Sequence, residues 1–467
     1  MTQQLDSKKL TPKQNGQTEL HRGLEERHIT LMSLGAAIGV GLFLGSATAI
    51  QLAGPGILLA YAFSGMIMFF IMRALGEMAI QKPVAGSFSK YARDYLGPLA
   101  GYITGWNYWF LWVVTCMAEI TAVGVYMGLW FPDVPAWIWA LSALIIMTTV
   151  NFLAVKAYGE LEFWFALIKI VAILFMILIG VLMIVFGIEN GGVATGISNL
   201  WDHGGFFPNG IEGILLSLQM VMFAYLGIEM IGVTAGEVKN PEKSLSRAID
   251  SVFWRILIFY VGALFVIMSI YPWTEIGTQG SPFVMTFEKI GIPAAAGIIN
   301  FVVLTAALSS CNSGIFSTGR MLFNLAEHEE APASYKTLTG NGVPGKAVLA
   351  SASVLLIGVL LNYLVPAKVF TWVTSIATFG AIWTWAIILL SQIRYRKSLQ
   401  PHEQKKLKYK IPFFPYTSYL SLAFLAGVII VMGFSPDTRI ALFIGPLWLI
   451  SLTAVYYAKG FHRKNGQ

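Results

Sequence analysis

The first long apolar run of the chain contains Gly35-Ala36-Ala37-Ile38-Gly39-Val40-Gly41-Leu42-Phe43-Leu44-Gly45. Its four glycines weaken a helix, because each one costs about 1 kcal/mol relative to alanine. Close packing against another helix is one explanation, since Gly35 and Gly39 follow G-x-x-x-G spacing. The glycines do not form a dinucleotide-binding fingerprint, because their spacing differs and no strand precedes them.

The sixth apolar run contains a similar stretch, Phe223-Ala224-Tyr225-Leu226-Gly227-Ile228-Glu229-Met230-Ile231-Gly232. It places a glycine next to a carboxylate, that of Glu229, near the middle of the run. Glycine-interrupted segments at corresponding positions of two halves are typical of membrane proteins built from inverted repeats. The two stretches therefore predict a pair of helices that are broken inside a membrane.

The composition excludes a soluble protein. Only 12% of the 467 residues are charged and 56% are hydrophobic, whereas about 25% of an average soluble chain is charged. One soluble core cannot bury so much apolar surface. We predict an all-α polytopic membrane protein without a soluble catalytic domain, and no nucleophile–base pair or metal cluster indicates an enzyme.

Twelve apolar runs are long enough to cross a membrane as helices, which takes about 20 largely apolar residues. They cover approximately residues 29–52, 55–80, 98–127, 134–153, 160–187, 211–235, 249–271, 293–324, 346–364, 366–393, 415–434 and 439–459. We expect two five-helix halves, 29–187 and 211–393, to form a core at 29–393. The remaining segments are an N-terminal tail at 1–28, a basic loop at 394–414, two additional helices within 415–459, and a C-terminal tail at 460–467.

The distribution of positive charge predicts that both termini are cytoplasmic. With this orientation, 26 of the 31 Lys and Arg residues lie at the inner side, and only Lys289, Lys368 and Arg439 lie outside. Cytoplasmic loops of membrane proteins carry this excess. The net charge of +7 therefore reports orientation. The basic loop is expected to be solvated and to attract anionic lipid headgroups instead of nucleic acid.

No cofactor, metal or nucleotide site is expected. Two cysteines, Cys116 and Cys311, are too few for a structural zinc site, and none of the six histidines lies in an apolar run. Residues 340–347 nearly form a phosphate-binding loop, but Ala347 replaces the Mg²⁺-binding hydroxyl residue. ATP is therefore not expected as an energy source.

The chemistry of a broken helix pair suits a zwitterionic ligand. Unwinding exposes N–H groups at one half-helix N-terminus, where the helix dipole favours a carboxylate. Carbonyl groups at the opposing half-helix end accept hydrogen bonds from an ammonium group. A ligand that carries both charges satisfies both ends and leaves no net charge buried.

Ionisable residues inside the runs are further candidates, because charges there are costly and by default functional. Lys169 lies about ten residues into the fifth run, and burial favours the neutral form of an amine. It is either a proton carrier or a fixed charge in place of a metal cation. Glu119 and Glu229 are each either a substrate- or proton-binding group or a protonated donor between helices.

The remaining polar residues are interpreted from their depth. Arg73, Glu77 and Glu237 lie near the cytoplasmic ends of their runs. They either form ion pairs that hold or gate the inner mouth or contact the ligand directly, and their position favours the ion pairs. Asn107 lies among aromatic residues about ten residues into the third run. It either walls a substrate pocket or belongs to an interfacial aromatic belt, and its depth favours the pocket.

Motifs of one known family run along residues 20–460. They include Arg73-Ala74-Leu75-Gly76-Glu77-Met78, Gly159-Glu160-Leu161-Glu162-Phe163-Trp164 and Asn240-Pro241-Glu242-Lys243. Through them the chain resembles the bacterial amino acid transporter family of the amino acid–polyamine–organocation superfamily. The resemblance implies a LeuT-type fold of two inverted five-helix repeats plus two C-terminal helices. It also implies proton-coupled import of amino acids by a permease of the cell (inner) membrane.

The resemblance assigns roles to individual residues. It implies that the substrate carboxylate meets N–H groups around Gly39, Val40 and Gly41. The ammonium group is implied to meet carbonyls near Ala36, Ala37, Phe223 and Ala224. The expected substrate site also includes Ile38, Tyr225 and Gly227. A lysine of the fifth helix, matched by Lys169, occupies the place of a sodium ion in related proton-coupled members. Ser309 and Ser310 match its neighbours in the eighth helix.

Three functions are compatible with this resemblance. The first is a proton/amino acid symporter, the second an obligate exchanger on the same fold, and the third a sensor that binds an amino acid without moving it. Within the family the chain is similar to proline-, histidine- and threonine/serine-type permeases and to the D-alanine/D-serine/glycine type. Neutral amino acids are therefore the expected substrates.

Overall fold

A computed structural model of the chain describes residues 38–84, 87–152, 155–188, 195–233, 241–277, 280–289 and 293–464. Regular secondary structure in these ranges is helical throughout, which confirms the all-α prediction for them. The predicted site residues Ala36, Ala37 and Glu237 lie outside the described residues.

The described helices follow one another along the chain with short connections. They are α1 (Val40–Phe43), α2 (Gly45–Ala53), α3 (Ile57–Gln81), α4 (Ser87–Leu96), α5 (Pro98–Met127), α6 (Ala136–Asn151), α7 (Val155–Phe186), α8 (Gly210–Ala224), α9 (Met230–Val233), α10 (Pro241–Arg255), α11 (Ala263–Ile270), α12 (Pro282–Lys289), α13 (Pro293–Glu327), α14 (Gly345–Leu364), α15 (Val369–Ser398), α16 (Pro401–Lys406), α17 (Tyr416–Met432), α18 (Ile440–Ala458) and α19 (Phe461–Lys464). Residues Ile256–Gly262 join α10 to α11 as a π-helical segment.

Eight helical segments in the described ranges are long and apolar enough to cross a membrane. They are Gly45–Gln81, Pro98–Met127, Glu162–Phe186, Glu242–Ile270, Ala294–Glu327, Gly345–Leu364, Pro366–Ser398 and Ile440–Ala458. The apolar helices α6, α8 and α17 are shorter. The protein is therefore a multi-pass membrane protein, and its division into twelve spans and two inverted halves stays a prediction.

The interior is organised around α5. This helix starts with Pro98 after Gly97, and a proline in the first turn removes only an N–H that has no helical partner. Helices α13 and α15 pack along α5, and the large side chains of Tyr108 and Trp385 are completely enclosed there. Helix α7 instead exposes apolar side chains, Phe186 by 71%, as expected for a surface that faces lipid.

Two short amphipathic helices, α4 and α12, lie in segments expected to be loops. Helix α4 buries one apolar face, which includes Phe88 and Tyr91. A sequence search for 20-residue apolar runs misses such helices, because only one of their faces is apolar. Helix α10 likewise starts at Pro241, ahead of the predicted boundary at 249, because its first turns are polar.

One buried carboxylate, that of Glu77, connects three distant segments. It accepts two hydrogen bonds from the Arg396 guanidinium, both 2.8 Å long, and one from the Gln392 amide at 3.2 Å. A fourth bond, 2.8 Å long, comes from the backbone N–H of Ile411. Charge-assisted, two-pronged bonds of this kind are among the strongest that side chains form. Helix α3 is thus fixed to the end of α15 and to the chain that follows it.

Residues 394–414, expected to form a solvated basic loop, are therefore not solvated throughout. The segment begins inside α15, where Arg396 is buried, and Leu407, Tyr409 and Ile411 are buried further on. The Arg396 guanidinium also covers the ring of Phe414 at 4.6 Å. The exposed cations of the segment include Lys397, Lys405 and Lys406. The sequence did not reveal this packing because the partner of Arg396 lies more than 300 residues away.

Replacement of Glu77 by alanine should destabilise the protein strongly. The change leaves the buried Arg396 guanidinium without its counter-ion, which typically costs about 3–5 kcal/mol. The thermal unfolding midpoint of the detergent-solubilised protein should fall well below that of the wild type. Lys408→Ala is the matched control, because its pair with Glu242 is exposed on both sides and such pairs contribute little. Equal midpoints for the two variants would contradict the assigned role of Glu77.

Candidate functional site

The second predicted interruption is present in the structure. Helix α8 ends at Ala224 and α9 begins at Met230, and the residues between them form turns. Gly227 adopts a φ of +95°, in the left-handed region that favours glycine. The break therefore occurs at the glycine that the sequence places beside Glu229.

The first interruption is described on one side only. Ile38 and Gly39 precede α1, and Gly39 is extended, with φ −126° and ψ −162°. The N–H groups of Val40 and Gly41 lie in the first turn of α1, where no preceding helical carbonyl can accept them. The Ile38 carbonyl is likewise outside the helix. Backbone groups of both kinds thus lie outside the regular helical hydrogen bonding at this point.

The two interruptions touch at Gly41. A Cβ atom at this position would lie 2.5 Å from the Cα and 3.0 Å from the backbone nitrogen of Ala224. Real Cβ atoms do not approach backbone so closely, so only glycine allows the contact. The close approach of the two stretches therefore requires a glycine at position 41.

A narrow cavity of about 10 Å³, enough for about one water molecule, lies beside this contact. Residues from both interruptions and from α5 and α13 line it: Gly39, Gly41, Trp112, Thr115, Glu119, Phe223, Ala224, Leu226 and Ser310. The structure thus brings together Gly39, Gly41, Phe223, Ala224, Glu119 and Ser310, which the sequence had marked separately. Trp112, Thr115 and Leu226 were not predicted. The spacing of 112, 115 and 119 on one helical face is the signal that relates two of them to Glu119.

The carboxyl group of Glu119, a residue of α5, lies against the N-terminal end of α1. Its side chain is 2% exposed, and its carboxyl group faces the Val40 N–H and the Ser310 hydroxyl. A Cβ atom on Gly39 would lie 3.1 Å from Glu119 Oε1. Among the described residues, Oε2 has no hydrogen-bond partner. An ionised group with a free oxygen is costly in such surroundings, whereas a protonated group can donate a hydrogen bond.

The ammonium group of Lys169 lies on the other side of the first interruption. The side chain is completely buried. Its Nζ donates to the Ile38 carbonyl and to the Ser309 hydroxyl, with both distances 3.2 Å. Ser309 in turn donates to Glu162 Oε1 at 2.6 Å. Glu162 was not predicted as a site residue, because its place near the end of a span is typical of interfacial carboxylates.

Glu229 interacts with its own interruption. Both carboxylate oxygens accept from the Gly227 N–H, at 3.2 and 3.3 Å. The buried Tyr108 hydroxyl and Trp385 indole N–H face the same carboxyl group. Glu229 therefore caps the break in the sixth run, and it does not line the cavity beside Gly41.

Tyrosine hydroxyls hold the backbone around Ala224. Tyr260, from the π-helical segment, donates to the Ala224 carbonyl at 2.8 Å, and Tyr225 donates to the Tyr61 carbonyl at 2.7 Å. The Tyr225 and Tyr260 rings lie 5.0 Å apart. Tyr225 thus points away from the cavity. The Ala224 carbonyl keeps one lone pair for a further donor.

Asn107 does not lie in the cavity. Its amide donates to the Gly380 carbonyl at 2.8 Å and to the Thr384 hydroxyl at 3.2 Å, so it joins α5 to α15. Asn107 was expected to wall a substrate pocket, but in the structure it connects two helices. An amide in an apolar run needs partners, and the sequence does not tell whether a ligand or a neighbouring helix supplies them.

The charged residues near the span ends pair with distant partners. Arg73 contacts Asp250 at 2.9 Å and covers the Tyr409 ring at 3.8 Å, whereas Glu77 pairs with Arg396. Arg73 and Glu77 thus belong to two separate ion pairs. Within the described ranges, no cluster of three His, Cys, Asp or Glu residues is suited to a metal ion.

A third ion pair, between Arg93 of α4 and Glu330, lies beyond the end of α13. Burial raises the pKa of Glu330, and the nearby Arg93 guanidinium opposes this shift. Helix α4 is thereby fixed to the end of the long helix that carries Ser309 and Ser310.

A multi-pass membrane protein with a small cavity between interrupted helices has the architecture of a secondary transporter. The family model for amino acid permeases matches residues 28–465, and the chain belongs to this family. It is 82% identical over 97% of its length, and 98% of the relative, to the uncharacterized amino acid permease YtnA of Bacillus subtilis (strain 168). It is 51% identical to the probable threonine/serine transporter YbxG of the same organism, over 96% of both chains. Amino-acid permease AapA, also from this organism, is 51% identical over 94% of this chain and 95% of its own.

Gly41→Ala should abolish amino acid uptake or reduce it more than tenfold. The added methyl group would push α1 away from Ala224 and open the contact on which the cavity depends. Uptake of labelled amino acid into proteoliposomes measures the effect. Gly427→Ala is the control, because a Cβ atom there meets nothing within 4 Å, and it should leave uptake unchanged. Normal uptake by the Gly41→Ala protein would refute the importance of this contact.

Proposed function

We propose that this protein is a proton-coupled importer of neutral amino acids that works by alternating access in the cell (inner) membrane, with both termini cytoplasmic. One observation carries the proposal. The buried ammonium group of Lys169 donates to the Ile38 carbonyl at the first interruption, next to a cavity lined by interrupted backbone. A titratable cation at this place links protonation to the geometry of the substrate site.

The cavity offers complementary groups to a zwitterion. The Val40 and Gly41 N–H groups at the start of α1 suit a substrate carboxylate. The free lone pair of the Ala224 carbonyl suits the ammonium group. The carbonyls of Ala36 and Ala37 are further proposed acceptors for the ammonium group at the first interruption.

Protonation of Glu119 should precede binding of the substrate carboxylate. The Glu119 carboxyl group faces the same N–H of Val40 that the substrate needs. An ionised Glu119 would repel a second carboxylate, whereas the protonated form can donate a hydrogen bond to it. Substrate and proton are therefore expected to bind together, with Lys169 as the second group that responds to protonation.

Small neutral side chains fit the lining of the cavity best. Thr115 and Ser310 supply hydroxyl groups, and Trp112, Phe223 and Leu226 supply apolar surface. The relative named as a probable threonine/serine transporter supports threonine and serine as substrates. Proline, histidine, alanine and glycine belong to the same proposed range.

Uptake from a panel of labelled amino acids, including D-isomers, tests the proposal. Proteoliposomes with an inward proton gradient should concentrate at least one neutral amino acid, and vesicles without the gradient should only equilibrate it. Preloading the vesicles with amino acid separates the alternative of an obligate exchanger. Uptake that ignores the proton gradient and requires preloading would favour exchange and defeat the coupling proposal.

Lys169→Ala should lose concentrative uptake at least tenfold and retain exchange of substrate across the membrane. The change removes the cation that donates to both the Ile38 carbonyl and the Ser309 hydroxyl. It leaves in place the groups that are proposed to bind the zwitterionic substrate. Proton-driven accumulation and counterflow exchange are measured in parallel on the same vesicles. A Lys169→Ala protein that still concentrates substrate would remove Lys169 from the coupling mechanism.

A further inference from the structure

We propose that Glu162 takes the coupled proton from Lys169 through the Ser309 hydroxyl and passes it towards the cytoplasm. This inference rests on the proton coupling proposed above and adds the residue that receives the proton. It concerns three side chains that are almost fully buried: Glu162 is 1% exposed, and Lys169 and Ser309 are not exposed at all.

The two ionisable groups are connected through a third side chain. Lys169 and Glu162 are seven residues apart on α7, so they share one helical face, with their Cα atoms about 10 Å apart along the helix axis. Ser309, from the neighbouring helix α13, fills the gap. Its Oγ lies 3.2 Å from Lys169 Nζ and 2.6 Å from Glu162 Oε1.

The two hydrogen bonds that connect Lys169, Ser309 and Glu162 run in the same direction. The Lys169 ammonium donates to Ser309, and the Ser309 hydroxyl donates to Glu162. Proton transfer needs only two coupled movements along these bonds. One proton leaves Nζ for Ser309 Oγ, and the hydroxyl proton of Ser309 moves to Glu162 Oε1. The products are a neutral amine, an unchanged serine and a carboxylic acid, so atoms and charge balance.

The transfer also avoids a net change of buried charge. Before it, the chain holds one cation and one anion, and after it the chain holds two neutral groups. The other titratable group facing Lys169 is Glu119 of α5. Glu162 is faced by Lys169 of its own helix and by the polar groups of Ser309, Asn312 and Ser313 on α13. The proton therefore has one side-chain acceptor on the Glu162 side.

Proton transfer from Lys169 to Glu162 runs in the direction that import requires. With the proposed orientation, Glu162 lies nearer the cytoplasmic end of α7 than Lys169 does. Polar groups continue beyond it, because the Asn151 amide of α6 donates to Asn312 Oδ1 at 2.9 Å. Glu162 is thus placed between the coupling lysine and the side on which the proton must leave.

A static role predicts different behaviour. If Glu162 only neutralised Lys169, its loss would disturb the cation at the first interruption, and binding, exchange and accumulation would decline together. If Glu162 receives the proton, substrate exchange needs no net proton movement and should survive. The ratio of accumulation to exchange therefore distinguishes the two roles.

Glu162→Gln is the decisive variant, because glutamine still accepts from Ser309 but takes no proton. We expect exchange within about twofold of wild type, with gradient-driven accumulation and substrate-linked proton entry reduced at least tenfold. A trapped fluorescent pH indicator measures the proton, and labelled substrate measures exchange and accumulation. Wild-type accumulation and proton entry in this variant, or parallel loss of exchange, would overturn the inference.

Ser309 variants test the bridge without removing a charge, and they decide the question if Glu162→Gln does not fold. Ser309→Ala should lose accumulation and keep exchange, and Ser309→Thr should restore accumulation because it keeps the hydroxyl. Thr318→Ala on the same helix is the control, since that hydroxyl bonds to the Ile315 carbonyl of its own helix. A fully coupled Ser309→Ala protein would overturn the inference. A wild type without proton coupling would instead show that the proposed function is wrong.

Discussion

A buried ammonium group, that of Lys169, imposes the main physical constraint on this molecule. A charge inside an apolar span must be paired and hydrogen-bonded, or its burial is prohibitively costly. The partners within reach are the Ile38 carbonyl and the Ser309 hydroxyl. The Ile38 carbonyl is available because this residue lies outside α1. The interruption of the first helix and the burial of the lysine therefore depend on each other.

The same interruption positions the proposed substrate site. The first N–H groups of α1 follow extended backbone at Gly39, which lines the cavity, and Gly41 lets this segment touch Ala224. Glu119 and Lys169 face the interruption from different helices. A change in protonation at either group alters the charge next to the unwound backbone, where both charges of a zwitterion are expected to bind.

Much of this site could be predicted from the sequence, because glycines and charges are rare in apolar runs and therefore stand out. That reasoning found Lys169, Glu119 and the interruption at Gly227, whereas Ser309 came from the family resemblance. It did not find Trp112, Thr115 or Glu162. Aromatic and hydroxyl residues are common in membrane helices, and a carboxylate near a span end is usually interfacial. It also did not find the partners of Glu77 and Asn107, because these come from helices hundreds of residues away.

The fold, like the site, could be predicted from the sequence only in part. Long helices were recognised from apolar runs, whereas α4 and α12 were missed because one apolar face does not form a run. The basic stretch at 394–414 is charged in sequence, yet it buries Arg396 and Tyr409 against other helices. Composition alone cannot show such packing.

The proposed proton coupling is tested most directly by measuring whether protons enter vesicles together with the substrate. Proteoliposomes containing the wild-type protein and a trapped pH indicator, with no imposed gradient, would receive L-threonine, L-serine, L-proline and L-histidine in turn. The vesicle interior should acidify when a transported amino acid is added, and the Lys169→Ala protein should produce no acidification. Entry of labelled amino acid into the wild-type vesicles without acidification would contradict proton coupling.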